Sequence, residues 1–211
     1  MDEGYLSYLS LAIAFVVAFT IHEFAHALIA NKLGDETAKH MGRMSLNPIK
    51  HVDPVGTLIL PILLIVSGSP FVFGWAKPVP VNVYNLRQKG KYAHAWVSLA
   101  GPLSNFLVAI LVSLFWRLSP EAFVASWSNN FINLLSVIMY INVIFGIFNL
   151  IPIPPLDGSH ILMSLLPESQ HKIKEFLNQY GWVLLMLIIL FGANVIILPI
   201  AQGILSLLLP S

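Results

Sequence analysis

Residues 5–31 read YLSYLSLAIAFVVAFTIHEFAHALIAN, an apolar run long enough to cross a bilayer as a helix, with His22-Glu23-Phe24-Ala25-His26 near its end. On a helix, positions four apart share one face, so both imidazoles can reach a single tetrahedral Zn²⁺ with Glu23 beside them. Those three side chains are the equipment of metal-assisted peptide hydrolysis. Ionisable groups in hydrocarbon are expensive and persist where they line a polar cavity or bind something. The competing account has both histidines hydrogen-bonded to neighbouring helices with Glu23 as a partner. The cost of unpaired charge in a membrane argues against it.

The whole chain supports a membrane setting. Of its 211 residues, 57% are hydrophobic and only 10% charged, and mean hydropathy is +0.79. The expected fold is an all-α polytopic membrane protein, one membrane-embedded domain over residues 1–211 with its core in about 5–165. The 11 Lys+Arg and 10 Asp+Glu nearly cancel, so nothing points to nucleic acid. There is no cysteine, which leaves histidines and carboxylates to build any zinc site. Asp2 and Glu3 precede the first apolar run in place of a basic n-region, so helix 1 is expected to be retained.

Four segments are long enough to span: 5–31, 92–117, 130–153 and 181–209, the last broken by Gly192 and Pro199. A shorter apolar stretch, Val55 to Val66, contains Pro61 and runs into Ser67-Gly68-Ser69-Pro70. Its length suits a re-entrant segment. Charge agrees. Loop 32–54 carries Lys32, Lys39, Arg43 and Lys50, and loop 72–91 carries Lys77, Arg87, Lys89 and Lys91, whereas loop 118–129 has no Lys or Arg. If residues 55–71 dip in and return, both basic loops fall on the cytoplasmic side. Helix 1 and the 130–153 helix then run parallel, which brings His22 and His26 level with Asp157.

A catalytic zinc site usually has three protein ligands and an open fourth position. Asp157 stands out as the third, in Asn149-Leu150-Ile151-Pro152-Ile153-Pro154-Pro155-Leu156-Asp157-Gly158. The prolines break the helix and force extended backbone there, which is tolerated at membrane depth beside a watery cavity. Asp157 as the N-cap of a short helix through Leu166 is an equal reading of the same residues. His51, His94 and His160 read as structural. Gly101 and Asn105, four apart on one helix, read as core packing, and Trp75 and Trp127 as interfacial anchors.

These motifs resemble the site-2 protease family of intramembrane zinc metalloproteases. The match takes in His22, Glu23 and His26; Asn149, Pro152, Leu156, Asp157 and Gly158; Asn47-Pro48 with Asp53-Pro54-Val55-Gly56; the loop from Phe73-Gly74-Trp75 to Asn82; and Ala100-Gly101-Pro102-Leu103-Ser104-Asn105. It covers roughly residues 15–165 and is of a compact form, with no PDZ or CBS module in the sequence. The resemblance implies that His22, His26 and Asp157 hold one Zn²⁺ per chain, that Glu23 is the general base, and that Asn149 positions substrate.

The implied partners are a transmembrane protein substrate and the lipid bilayer, in a multi-pass prokaryotic plasma-membrane protein whose active site faces the cytoplasm. Substrate must unwind before it is cut. Residues 37–46 are expected to form a short strand at the membrane edge that pairs with it by strand addition. The main alternative is a divalent metal-ion transporter or sensor using the same His/Asp site. Glu23 separates the two, since a carrier needs no general base beside its ligands.

Overall fold

The computed structural model describes residues 3–68 and 74–209. Ser69 and Pro70 of the expected re-entrant stretch, Phe73 of the loop motif and Asp2 of the acidic opening lie outside them. In chain order the elements are α1 (Glu3–Lys32), α2 (Thr37–His40), a 3₁₀ turn (Pro48–His51), a π-helical stretch (Pro54–Ile59) leading into α3 (Leu60–Val66), and α4 (Val83–Arg87). There follow α5 (Ala93–Leu118), α6 (Glu121–Val124), α7 (Asn129–Asn149), α8 (Asp157–Leu165), a 3₁₀ turn (Glu168–Gln170) and α9 (His171–Leu187). A π-helical stretch (Ile188–Ile197) and α10 (Leu198–Leu208) complete the chain.

The core is a three-helix bundle of α1, α5 and α7. Side-chain pairs set the directions. Asn133 bonds Ser10 near the start of both α1 and α7, and Phe145 packs on His22 further along both, so these helices are parallel. Along α5 the order reverses, with Val97 beside His26 and Asn105 beside His22. Small residues permit the approach: Ala14, Ala18, Ala27 and Ala30 of α1 are fully buried. The bundle is polar inside and apolar outside. Ser98, Asn105, Ser113 and Asn142 are buried, while Leu103, Leu107, Leu111 and Leu114 project outward along one face of α5. That inversion suits hydrocarbon as the surrounding solvent.

Four helices are long and apolar enough to cross a membrane: Tyr8–Lys32, Ala93–Leu118, Asn129–Asn149 and Glu168–Gly192. The third stops at Asn149, short of the expected residue 153, because Pro152, Pro154 and Pro155 cannot continue it. The fourth begins at Glu168, well before residue 181, since the polar first turns of α9 extend the same helix. Its helical path continues through the π stretch to Leu208, where Arg117 at the end of α5 donates to the carbonyls of Leu207 and Leu209. The described C-terminal end thus lies at the end of the bundle opposite His26.

The 54–66 stretch starts at a point where the chain is found again at Trp75. Trp75 N–H donates to the Gly56 carbonyl at 3.1 Å, and Thr57 Oγ1 donates to the Trp75 carbonyl at 2.7 Å. A chain that returns to its own starting point has not crossed, so α3 belongs to a re-entrant excursion. All Lys and Arg except Arg117 then belong to segments at the His26 end of the bundle.

The strand expected over 37–46 does not form, and among the described residues there is no strand. Asp35 accepts from the backbone N–H and hydroxyl of Thr37 and starts the α2 turn. Gly42, at φ +64°, lets the chain double back so that Arg43 N–H reaches the Ala38 carbonyl. Local side-chain bonding therefore overrides the extended reading.

Candidate metal centre and active site

Both histidines lie on the buried face of α1 with their tautomers set by neighbours. His22 Nδ1 is 2.7 Å from Asn105 Oδ1. The Asn105 amide is oriented by its own donor group, which bonds the Ala18 carbonyl and Asn142 Oδ1, each at 3.0 Å. With both amide protons spent there, its oxygen faces His22 and accepts the Nδ1 proton. His26 Nδ1 donates in the same way to the Val97 carbonyl at 2.7 Å. Each Nε2 is left with a lone pair aimed at the bundle interior.

Asp157 meets these lone pairs. The helix α8 is capped by Leu156, and Asp157 is its first residue with its side chain making no capping bond, which removes the N-cap reading of that carboxylate. Its Oδ2 is buried, receives no hydrogen bond, and lies 3.0 Å from His22 Nε2 and 3.2 Å from His26 Nε2. The two Nε2 atoms are 3.0 Å apart. With both rings neutral and the carboxylate ionised, three acceptors face one another and would repel unless a cation sat among them. Their spacing is close to the ~3.3 Å edge of a tetrahedron with zinc-length bonds of about 2.0–2.1 Å. His22, His26 and Asp157 are thus a group that could hold one metal ion.

Gly101 completes the cradle. A Cβ on it would lie 2.5 Å from His26 Nε2 and 2.6 Å from His22 Nε2, inside the space where the three donors converge. Gly158 is equally constrained: its Cβ would meet the Leu150 carbonyl at 2.3 Å, so only glycine lets α8 start tightly beneath the last turn of α7. That contact fixes where Asp157 points.

Glu23, one position along from His22, lines the same cleft, which encloses about 380 Å³. Its Oε2 accepts from the Val79 N–H at 2.7 Å. The segment bearing Val79 is held from several sides. Arg43 Nη2 donates to the Lys77 carbonyl at 2.7 Å, Lys77 N–H donates to the His51 carbonyl, and Asn82 N–H donates to Asp35 Oδ2 at 2.6 Å. Burial alone would raise the Asp35 carboxyl. The hydrogen bonds from Thr37, Asn85 and Asn82 outweigh it and hold the group below the usual carboxylate range.

Asn149 also lines the cleft, with one amide proton donated to the Phe145 carbonyl of its own helix at 3.0 Å. His51 is structural, buried with Nε2 2.7 Å from the Ser45 carbonyl. His94 and His160 stand apart from the trio but share its cleft. Local physics assigns Gly101 and Asn105 first to core packing, with the amide able to bond across to another helix, and does not place them at the histidines. The available signal was the cost of an intramembrane asparagine, which demands polar partners.

A polytopic helical bundle that joins an HExxH helix to a third carboxylate in a buried cleft is a membrane metalloprotease. The chain belongs to peptidase family M50, the site-2 proteases. The family profile, "Peptidase family M50", matches residues 121–192, which include the Asn149–Asp157 segment. "Putative zinc metalloprotease YwhC" of Bacillus subtilis is 39% identical over 182 residues, covering 84% of this chain and 78% of that protein. "Putative zinc metalloprotease Rip2" of Mycolicibacterium smegmatis is 31% identical over 196 residues, covering 90% of this chain and 70% of its own. "Zinc metalloprotease MJ0392" of Methanocaldococcus jannaschii is 25% identical, with 86% and 42% covered. No solved structure matches the chain significantly.

Proposed function

We propose that this protein hydrolyses peptide bonds of membrane-anchored proteins within or near the bilayer, with His22, His26 and Asp157 holding one zinc ion and Glu23 as general base and acid. The observation that carries this reading is the convergence of His22 Nε2, His26 Nε2 and Asp157 Oδ2 to within 3.2 Å of one another, beside the Glu23 carboxylate in a cleft. A bound zinc ion would supply Lewis acidity to water and to the scissile carbonyl. Glu23 takes a proton from the attacking water and delivers it to the leaving amine, so that water's oxygen joins the carbonyl carbon as the C–N bond breaks. The Val79 N–H holds one Glu23 oxygen, and the other serves the proton transfer. The remaining amide groups of Asn149 face unwound substrate backbone.

The gathering of Lys and Arg at the His26 end supports a cleft that opens toward the cytoplasm, and the plasma membrane is the location proposed with it. A metal-ion carrier would not need Glu23 beside its ligands.

The test is quantitative membrane proteomics of cells carrying wild-type protein or Glu23→Gln, with zinc measured in both purified forms. Accumulation of a membrane-anchored protein in the mutant, with zinc retained, is the expected result. Unchanged proteins with altered cellular metal would sink the peptidase reading.

A further inference from the structure

His160 is a half-buried imidazole that makes no hydrogen bond through its ring to any described residue. It lies three positions after Asp157 on α8, so both project on one helix face and both line the cleft with Glu23 and Asn149. The His94 ring, carried by α5, packs against it with centroids 4.5 Å apart and planes at 42°. Burial lowers the His160 pKa, which favours the neutral ring with one N–H donor and one acceptor.

Asn149 keeps one amide proton for the cleft, and the groups around the proposed metal add none. Glu23 and Asp157, when ionised, can only accept, and the Val79 N–H is committed to Glu23. His22 and His26 spend their N–H groups on Asn105 and Val97. A second metal site at the His94–His160 pair lacks a third ligand, since His22, His26 and Asp157 are the only such group among the described residues.

We infer that His160 is a substrate-facing residue of this site: its N–H donates to the carbonyl of the scissile peptide, and the His94 ring is the platform that holds it. This role rests on the proposed peptide hydrolysis. A hydrogen bond to a carbonyl oxygen strengthens as that oxygen gains negative charge, so its loss lowers kcat more than it raises KM.

The experiment compares the full-length protein in detergent micelles as wild type, His160→Ala, His160→Gln, His94→Ala and Glu23→Gln. Zinc content, hydrolysis of fluorescein-labelled casein and affinity for a phosphinic pseudopeptide are measured for each. His160→Ala is expected to lower kcat about 100-fold with KM within about threefold and zinc unchanged, and to weaken phosphinic-peptide binding similarly. His160→Gln, which keeps an N–H donor, recovers about tenfold of that loss, and His94→Ala costs about tenfold. Wild-type turnover and wild-type phosphinic affinity in His160→Ala would overturn the inference and leave the peptidase reading standing. Loss of zinc in that variant would overturn it too, assigning His160 to the metal site. If casein resists cleavage, the phosphinic affinities decide. If wild type and Glu23→Gln are equally inactive and neither binds the phosphinic peptide, the peptidase reading fails and the role of His160 falls with it.

Discussion

His22 and Asn105 are 83 positions apart in sequence, yet Nδ1 of the first and Oδ1 of the second are 2.7 Å apart, on antiparallel helices. The hydrogen bond makes α5 the determinant of the His22 tautomer, and Asn142 on α7 determines the orientation of Asn105 in turn. A proposed ligand on one helix is thus aimed by the other two.

Asn105→Leu removes the acceptor and lets the His22 ring turn or change tautomer. Zinc affinity should fall by about 10–100-fold, as for other outer-shell partners of metal-bound histidine. Competition against a chromophoric chelator measures it. Asn142→Val leaves Asn105 in place without its orienting partner, so a smaller loss is expected.

Glu23→Gln keeps the size of the side chain and removes its basicity. Turnover should drop about 10³-fold, within the range for general acid–base groups, with zinc stoichiometry unchanged. By contrast, His22→Ala, His26→Ala and Asp157→Asn should purify with depleted zinc. Stripping the wild type with a chelator should abolish hydrolysis, and added zinc should restore it.

Gly101→Ala and Gly203→Ala form a controlled pair. Alanine is favoured over glycine by about 1 kcal/mol in a helix, so neither change should unfold its helix. At Gly203 a Cβ meets nothing within 4 Å, and activity should stay at the wild-type level. At Gly101 it intrudes on both proposed imidazole ligands. Zinc should be lost while helicity by circular dichroism is kept. Full zinc binding by Gly101→Ala would contradict the geometry described for the cradle.

Asp35→Ala removes the acceptor for Thr37 and for Asn82 and Asn85, which anchor the far end of the segment that carries Val79. Loss of these charge-assisted bonds should cost about 3 kcal/mol of stability at neutral pH and slow hydrolysis by freeing the Val79 N–H from Glu23. The folded pKa of Asp35 is depressed, so its contribution is full above its unfolded pKa, near 3.9, and fades as pH falls through the lower folded value. Thermal unfolding in detergent should therefore show a gap between wild type and Asp35→Ala at pH 7 that narrows under strong acid.

The membrane class, four apolar helices, the re-entrant stretch and the identity of His22, Glu23, His26 and Asp157 as candidate site residues were all legible in the amino-acid order. The reason is physical: hydrocarbon requires long apolar runs with backbone bonds made internally, and ionisable residues inside such runs stand out. Helix periodicity alone put His22 and His26 on one face. Element ends were less legible. The strand expected over residues 37–46 gave way to a turn bonded to Asp35, because side-chain bonds to a neighbouring aspartate are local events that a polar and apolar pattern does not record.

What the tertiary structure alone decided is which groups surround the proposed metal. Gly101, Asn105 and the Val97 carbonyl come from α5, Asn142 from α7, and the Val79 N–H from a loop, and none is near His22 in sequence. Their roles depend on helix direction, rotation and depth within the bundle. Those quantities are set by packing of small residues between helices and by the demand that each buried polar group find a partner, and no single segment carries them.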